Sequence, residues 1–143
     1  MATLLVASAW LFVGACGQTT AGNPLGDDDF EEGDQDPPAI VVDQIADGQP
    51  SYQDVTVTAT VTDDTEVTEV TLFHHNLSSA DFVAEAMVLG SGDVYSGTIP
   101  ADSVSGSRVY YYVEACDGAR PANCATSPTD VQGSDDAFAF NVQ

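Results

Sequence analysis

The chain has 143 residues, with 2 basic side chains against 23 acidic ones and a formal net charge of −21. A length of this order allows one folded domain with tails. The charge argues against nucleic acid as a partner, because phosphate binding depends on clustered Lys and Arg, and Arg108 and Arg120 form no such patch. A hydrophobic content of 43% argues against disorder of the whole chain.

The first predicted element is an apolar segment at the amino terminus. Residues 4–13 are almost all apolar and are followed by Gly14, Ala15 and Cys16. Ten helical residues rise only about 15 Å, about half a bilayer, so this length is typical of a secretory signal peptide and not of a membrane span. The start lacks the Lys or Arg that such a peptide normally carries. The alternative is a buried strand or helix of the fold, with Cys16 as a core thiol.

The end of this segment carries a more specific pattern. Val13-Gly14-Ala15-Cys16 resembles the lipobox of bacterial lipoproteins, in which an aliphatic residue and two small residues precede a lipidated cysteine. The resemblance implies that residues 1–15 are a lipoprotein signal peptide and that Cys16 is the lipidation site, since several acyl chains together anchor a protein stably. Gly17, where an aspartate would imply retention in the inner membrane, implies the bacterial outer membrane or cell surface.

Residues 16–37 form the next predicted segment, a linker. Asp and Glu occupy seven positions between 27 and 36 without any base, and glycine and proline interrupt the tract. Such a segment cannot bury enough apolar surface to offset its chain entropy. We therefore expect a disordered, self-repelling acidic linker.

Residues 38–143 change to an alternation of apolar and polar residues. In the clearest case Val55, Val57, Ala59 and Val61 share one face, and β-branched threonines occupy the other, as in a half-buried strand. The predicted strands are 39–45, 54–62, 67–75, 93–99, 108–116 and 137–142. Residues 82–89 are either a seventh strand or a helix that Ser78 caps and that runs through Met87. About seven short strands predict an all-β fold, an antiparallel β-sandwich.

Several segments within this region resemble a known kind of module. Residues 38–40, 57–64, 67–72, 95–100 and 111–118, together with Met87, are similar to the Ig-like or fibronectin-type-III-like domains of bacterial exported proteins. The resemblance implies one Ig-like β-sandwich over residues 38–143. Such modules act as spacers, adhesion units or accessories to enzymes, so the resemblance implies architecture more than activity. The motif at residues 111–118 departs from the family pattern, because residues 119–124 stand where the family has a Gly-Asn turn.

The cysteines give a second argument for export. With Cys16 assigned to lipid, Cys116 and Cys124 remain as a pair, which predicts a disulfide in an exported protein. A zinc site is the alternative, but two cysteines without a nearby histidine make a poor ligand set.

Acidic residues provide a candidate metal site. In an Ig-like sandwich the loop after the second strand and the loop before the last strand lie at the same end. This arrangement would bring together Asp63, Asp64, Glu66 and Asp117, whose oxygens suit Ca²⁺. The alternative is that these are solvated turn residues. We expect no other cofactor.

The histidines give no catalytic pattern. His74 and His75 are adjacent on a predicted strand and point to opposite faces, so they cannot bind one metal together. We expect His74 to lie in the core and His75 to face solvent. Because no G-x-S-x-G motif accompanies them, we do not expect an enzyme.

Tyrosines 110–112 are the one aromatic cluster of the sequence. Alternation directs Tyr111 inward, similar to the tyrosine corner of Ig-like domains, and directs Tyr110 and Tyr112 outward. With Phe73 the outward pair forms a candidate binding face for sugar or protein. The alternative is that these rings are cross-strand packing partners.

These features together predict a non-catalytic envelope or surface lipoprotein. Its Ig-like domain would take part in adhesion, scaffolding or protein–protein interaction, and its partners would be the membrane, through the lipid anchor, and an envelope protein or glycan. The alternative is a carbohydrate-binding accessory module that uses the exposed aromatic residues.

Overall fold

The computed structural model describes residues 33–79 and 81–143, which contain nine β-strands and no helix. No part of these ranges forms a helix with the length and apolar character needed to cross a bilayer. The predicted signal peptide, Cys16 and most of the predicted linker lie outside the described residues. The strands are β1 (Ala39–Asp43), β2 (Val55–Thr62), β3 (Val67–Asn76), β4 (Val83–Ala86), β5 (Val88–Leu89), β6 (Val94–Ile99), β7 (Arg108–Asp117), β8 (Cys124–Ser127) and β9 (Phe138–Asn141).

The strands form two antiparallel sheets. Sheet 1 has the order β1-β2-β6-β5, and sheet 2 has the order β4-β3-β7-β8, with β9 also paired to β7. Strand β7 pairs with β9 through its first half and with β8 through its second half. The prediction of an all-β, two-sheet fold is confirmed for the described residues, with nine strands where about seven were expected.

The core lies between the sheets and follows from the alternation in the sequence. The predicted inward residues of β2 are buried, as are Tyr111, Val113 and Ala115 of β7 and Phe140 of β9. Threonines of β2 face the other way. Burial of a Val or Leu side chain contributes about 1.5–3 kcal/mol, so this inner layer stabilises the pairing of the two sheets.

Residues 82–89 form two short strands, so the helical alternative is wrong. Strand β4 pairs with β3 in sheet 2, whereas β5 pairs with β6 in sheet 1. The chain therefore passes from one sheet to the other at Met87, whose side chain is buried and whose backbone N–H donates to the Val70 carbonyl at 2.9 Å. Gly97 lies beside this crossing, where a Cβ atom would stand 2.9 Å from Met87 Cγ.

Strand β8 has no counterpart among the predicted strands. Its four residues, Cys124 to Ser127, include no large apolar side chain and are exposed or half-buried. The sequence therefore gives no alternation by which this strand is recognised. Its pairing depends on β7, because Cys116 and Cys124 stand directly opposite each other.

One inward tyrosine links the sheets. Tyr111 is fully buried, as predicted, and its hydroxyl accepts a hydrogen bond from the backbone N–H of Ile45 at 2.9 Å. Burial raises the pKa of Tyr111, and the bond from Ile45 opposes that shift. The phenol thus holds the chain that leaves β1 against the centre of sheet 2.

Candidate functional site

A disulfide closes the hairpin that carries the candidate site. Cys116 at the end of β7 is bonded to Cys124 at the start of β8, which confirms the predicted pair. Residues 118–123 form the loop between these strands. Thr68 of β3 donates from its hydroxyl to the Asp117 carbonyl at 2.7 Å, so the loop is also held to the neighbouring strand.

Asp117 is a buried carboxylate inside this closed loop, with only 1% of its surface exposed. Its Oδ1 accepts hydrogen bonds from the backbone N–H groups of Ala119 at 3.0 Å and Asn123 at 2.8 Å. Its Oδ2 accepts from the Asn123 side-chain amide at 2.7 Å. Burial tends to raise the pKa of Asp117, but the hydrogen bonds from Asn123 and Ala119, together with one to the Asp34 side chain, outweigh burial and lower the pKa below its usual value. Asp117 is therefore held as an anion.

Two further carboxylates stand beside Asp117. Asp63, in the turn after β2, and Asp34, before β1, each offer an oxygen, and the three oxygens lie within 4.8 Å of one another. Asp63 Oδ1 accepts from the Thr65 N–H at 2.8 Å, and Asp34 Oδ1 accepts from the Asp36 N–H at 3.0 Å. We call Asp34, Asp63 and Asp117 the acidic loop cluster.

Only two of the four predicted calcium ligands belong to the acidic loop cluster. Asp63 and Asp117 meet at one end of the sandwich, as the loop argument predicted, whereas Asp64 and Glu66 are not members of the acidic loop cluster. Glu66 lines a surface cleft with Asp63. The pKa of Asp64, which is exposed, is raised mainly by the negative charge of Asp34 and secondly by loss of solvation. The acids at this end therefore repel one another.

Sequence reasoning missed two members of this site. Asp34 was one of seven acids in a tract predicted to be disordered, and nothing distinguishes it there from its neighbours. Asn123 has a weak signal, since it precedes Cys124 and the disulfide must bring it near Asp117. Its side-chain amide also donates to the Asp34 carbonyl at 2.9 Å, so Asn123 joins the end of the predicted linker to the loop.

The outer face of sheet 2 carries a second candidate site, an aromatic ladder formed by Phe73, His75, Phe82, Tyr110 and Tyr112. Phe73 and Tyr112 stand opposite each other on β3 and β7 and stack with ring centroids 4.7 Å apart and an interplanar angle of 6°. Tyr110 stacks on His75 at 5.0 Å. Phe82 meets both Tyr112 and His75 edge to face. The three predicted binding residues are therefore cross-strand packing partners, and all are half-buried.

The prediction that His75 faces solvent is wrong. The residue is only 7% exposed, because Phe82 and the loop that carries Ser134 cover this part of the sheet. Nδ1 lies 2.9 Å from the Asn76 carbonyl, which can only accept, so Nδ1 carries a proton. In the neutral ring Nε2 then accepts from the Ser134 hydroxyl at 2.8 Å.

His74 lies in the core, as predicted. It is fully buried, and neither ring nitrogen has a hydrogen-bond partner among the described residues. The pKa of His74 is lowered, mainly by burial. The charge of Glu85 on β4 raises this pKa by a smaller amount, and the charge of His75 lowers it further. A buried ring without partners favours the neutral form.

Comparison with known proteins adds no assignment. No protein-family model matches the chain, and no curated protein matches it.

Proposed function

We propose that the chain is a non-catalytic lipoprotein of a bacterial outer membrane or cell surface that presents one Ig-like domain to a protein partner. The observation that carries this proposal is the Cys116–Cys124 disulfide, which accounts for two of the three cysteines. Disulfides persist in exported proteins and are rare in reducing compartments. The third cysteine, Cys16, is the one that ends the lipobox-like sequence.

The strand order supports the Ig-like part of the proposal. An Ig-type sandwich places strands A, B, E and D in one sheet and C, F and G in the other. Sheet 1, with the order β1-β2-β6-β5, corresponds to strands A, B, E and D. In sheet 2, β3, β7 and β9 correspond to C, F and G, and β4 is an added strand beside β3. Strand β8 would then be an insertion between F and G. The predicted likeness of Tyr111 to a tyrosine corner adds no support, because its hydroxyl bonds the backbone of Ile45, 66 residues upstream, and not backbone a few residues upstream as in that motif.

The packing of the aromatic ladder favours a protein partner over a glycan. A sugar usually stacks on an open ring face, but Phe73 and Tyr112 each cover one face of the other. Half-buried aromatic edges with adjacent polar groups are typical of protein contact surfaces. Specific glycan binding that is lost on Tyr112→Ser would contradict this choice and support the carbohydrate-binding alternative.

The Ser134–His75 pair is a packing contact in this proposal. A serine beside a histidine is the arrangement that activates a nucleophile. Here, however, His75 is only 7% exposed, because its ring stacks on Tyr110 and meets Phe82 edge to face, which leaves little access for a substrate. Turnover of a simple ester by the wild type that is lost in Ser134→Ala would overturn the non-catalytic proposal.

The lipid anchor is tested by acyl labelling in a bacterial host that processes lipoproteins. The full chain is expressed with an alkyne fatty acid, and label and membrane fractionation are compared for the wild type, Cys16→Ser and the matched control Cys124→Ser. We expect label and membrane association in the wild type and the control, and neither in Cys16→Ser. Label that remains in Cys16→Ser would contradict the anchor.

A further inference from the structure

On the basis of the protein-binding role proposed above, we further propose that Tyr52 and Leu77 anchor a partner protein whose contact surface is basic. We call these two residues the anchor pair. Both side chains are exposed, Tyr52 at 70% and Leu77 at 59%. Tyr52 lies in the loop between β1 and β2, and Leu77 begins the loop between β3 and β4. Tyrosine is enriched at protein interfaces and among the residues that dominate their binding energy.

The anchor pair lies at the end of the sandwich opposite the acidic loop cluster. Strand β2 begins three residues after Tyr52 and ends at Thr62, beside the turn that leads to β3. Strand β3 starts at that turn and ends at Asn76, directly before Leu77. The start of β1 is paired with the end of β2, so the chain enters the sandwich at the far end. A membrane anchor at Cys16 therefore leaves the anchor pair accessible to a partner.

Hydrogen bonds hold both loops of the anchor pair to the loop between β6 and β7. The Tyr52 N–H donates to the carbonyl of Val104, a fully buried residue, at 2.8 Å. The Asn76 side-chain amide donates to the Ser103 carbonyl at 3.1 Å and to the Ser105 hydroxyl at 3.0 Å. Neighbouring residues of one loop thus support both members of the pair. A surface that is ordered in advance loses less conformational entropy when a partner binds.

The backbone of Tyr52 is strained. Its φ is 58°, in the left-handed region that a bulky residue rarely adopts. Bonds on either side maintain this conformation: the Ser51 N–H donates to the Gln143 carbonyl at 3.0 Å, and the Ala101 N–H donates to Asp54 Oδ1 at 2.8 Å. Strained residues that the surrounding structure holds in place cluster at ligand-binding sites. Because most of the Tyr52 side chain is exposed, packing of its ring does not account for a tyrosine where glycine would be unstrained.

The charge of this end of the sandwich defines the chemistry of the partner. The loops at residues 44–54, 77–82 and 100–107 contain no Lys or Arg, and their acidic residues are Asp47, Asp54, Asp81 and Asp102. With a net charge of −21, the chain repels a second copy of itself and an anionic membrane surface. A complementary partner presents Lys or Arg around an apolar pocket that accepts the Tyr52 ring.

Site-specific photo-crosslinking in the native host tests which surface the partner contacts. The full chain is expressed with p-benzoylphenylalanine at position 52, at position 112 of the aromatic ladder, or at control position 88. Val88 is 67% exposed and lies on β5 of sheet 1. We expect one protein, identified by mass spectrometry, to be crosslinked from position 52 and not from position 88.

The other crosslinking outcomes overturn the proposal in distinguishable ways. Crosslinks from position 112 and not from position 52 would show that a protein binds the aromatic ladder, so this surface would be wrong and the proposed function would stand. Crosslinks from position 52 to a second copy of the chain, equal yields at positions 52 and 88, or no crosslinked protein would each contradict the proposal.

Titration with the crosslinked protein, once purified, measures the contribution of Tyr52. With the full chain in detergent, Tyr52→Ser should weaken binding by about tenfold or more, and the control Val88→Ser should change the affinity by less than about twofold. The affinity of the wild type should fall as NaCl is added, because the contacting surfaces have opposite charges. Equal effects of the two substitutions, or an affinity independent of salt, would overturn the proposal.

Tyr52→Gly separates binding from a structural role. Glycine adopts positive φ without steric cost, so this variant should unfold in urea at a midpoint no lower than that of Tyr52→Ser, and it should lose the same affinity for the partner. A Tyr52→Gly variant that binds the partner as tightly as the wild type would contradict the anchor role of the ring. Acyl labelling of Cys16 is a separate readout, so failure of the lipid anchor and failure of this surface are distinguishable.

Discussion

Replacement of Cys116 and Cys124 by serine tests what the disulfide contributes. The two residues are eight positions apart in sequence and directly opposed on β7 and β8. Closure of a loop this short removes about 2.5 kcal/mol of conformational free energy from the unfolded chain. For a domain of this size about 1 kcal/mol corresponds to about 4 °C, so the melting temperature should fall by about 10 °C.

The native loop should survive this replacement. Two hydrogen bonds from Asn123 to the Asp117 carboxylate connect the two ends of the loop, a third from Ala119 fixes its start, and none of them involves sulfur. The loss should therefore appear as a lower midpoint in urea with a single cooperative transition, and not as local unfolding of residues 118–123.

Reductant supplies the matched control for this variant. Under non-reducing conditions the wild type should be more stable than the double serine variant, and reductant should lower the wild type to the level of the variant without changing the variant. Equal stability of the two proteins without reductant would contradict the predicted contribution of the disulfide to stability.

Three further predictions concern the core. Tyr111→Phe removes the acceptor of the Ile45 N–H and should lower the free energy of unfolding by about 1 kcal/mol in urea titration. An unchanged midpoint would contradict a stabilising hydrogen bond between Tyr111 and Ile45. His74 is held neutral by burial, so the unfolded chain binds a proton that the native chain resists, and stability should fall as pH drops below the usual histidine pKa of 6.5. His74→Leu should have a shallower loss of stability between pH 7 and 5, and equal slopes would refute this role. Gly97→Ala places a Cβ 2.9 Å from Met87 Cγ and should cost about 1–3 kcal/mol, measured by urea titration; a neutral effect would show that the crossing at Met87 relaxes freely.

The strands that the sequence predicts well are those with one buried face. In β2 and β7 apolar side chains recur at every second position, and the side-chain period of a strand makes their faces unambiguous. Strand β8 lacks this pattern because its pairing is set by the disulfide and by β7. The sequence could not distinguish a strand from a helix at residues 82–89, because β4 and β5 have only four and two residues and are too short to show a period.

The candidate site was predictable only in part, for a different physical reason. Asp63 and Asp117 follow from strand order, because loops at the same end of a sandwich must meet. Asp34 joins them through tertiary contacts of a segment whose composition predicts disorder, and composition does not encode such contacts. The error at His75 has the same origin: alternation correctly placed it on the outer face of β3, but Phe82 and the loop at Ser134 cover that face.

The intact mass of the mature protein from native membranes tests the central proposal most directly. If Cys16 is the lipidated residue, the amino-terminal peptide should begin at Cys16 and carry the added mass of acyl chains, with residues 1–15 absent. An amino-terminal peptide that retains residues 1–15, or one that begins at an unmodified Cys16, would contradict the lipoprotein assignment.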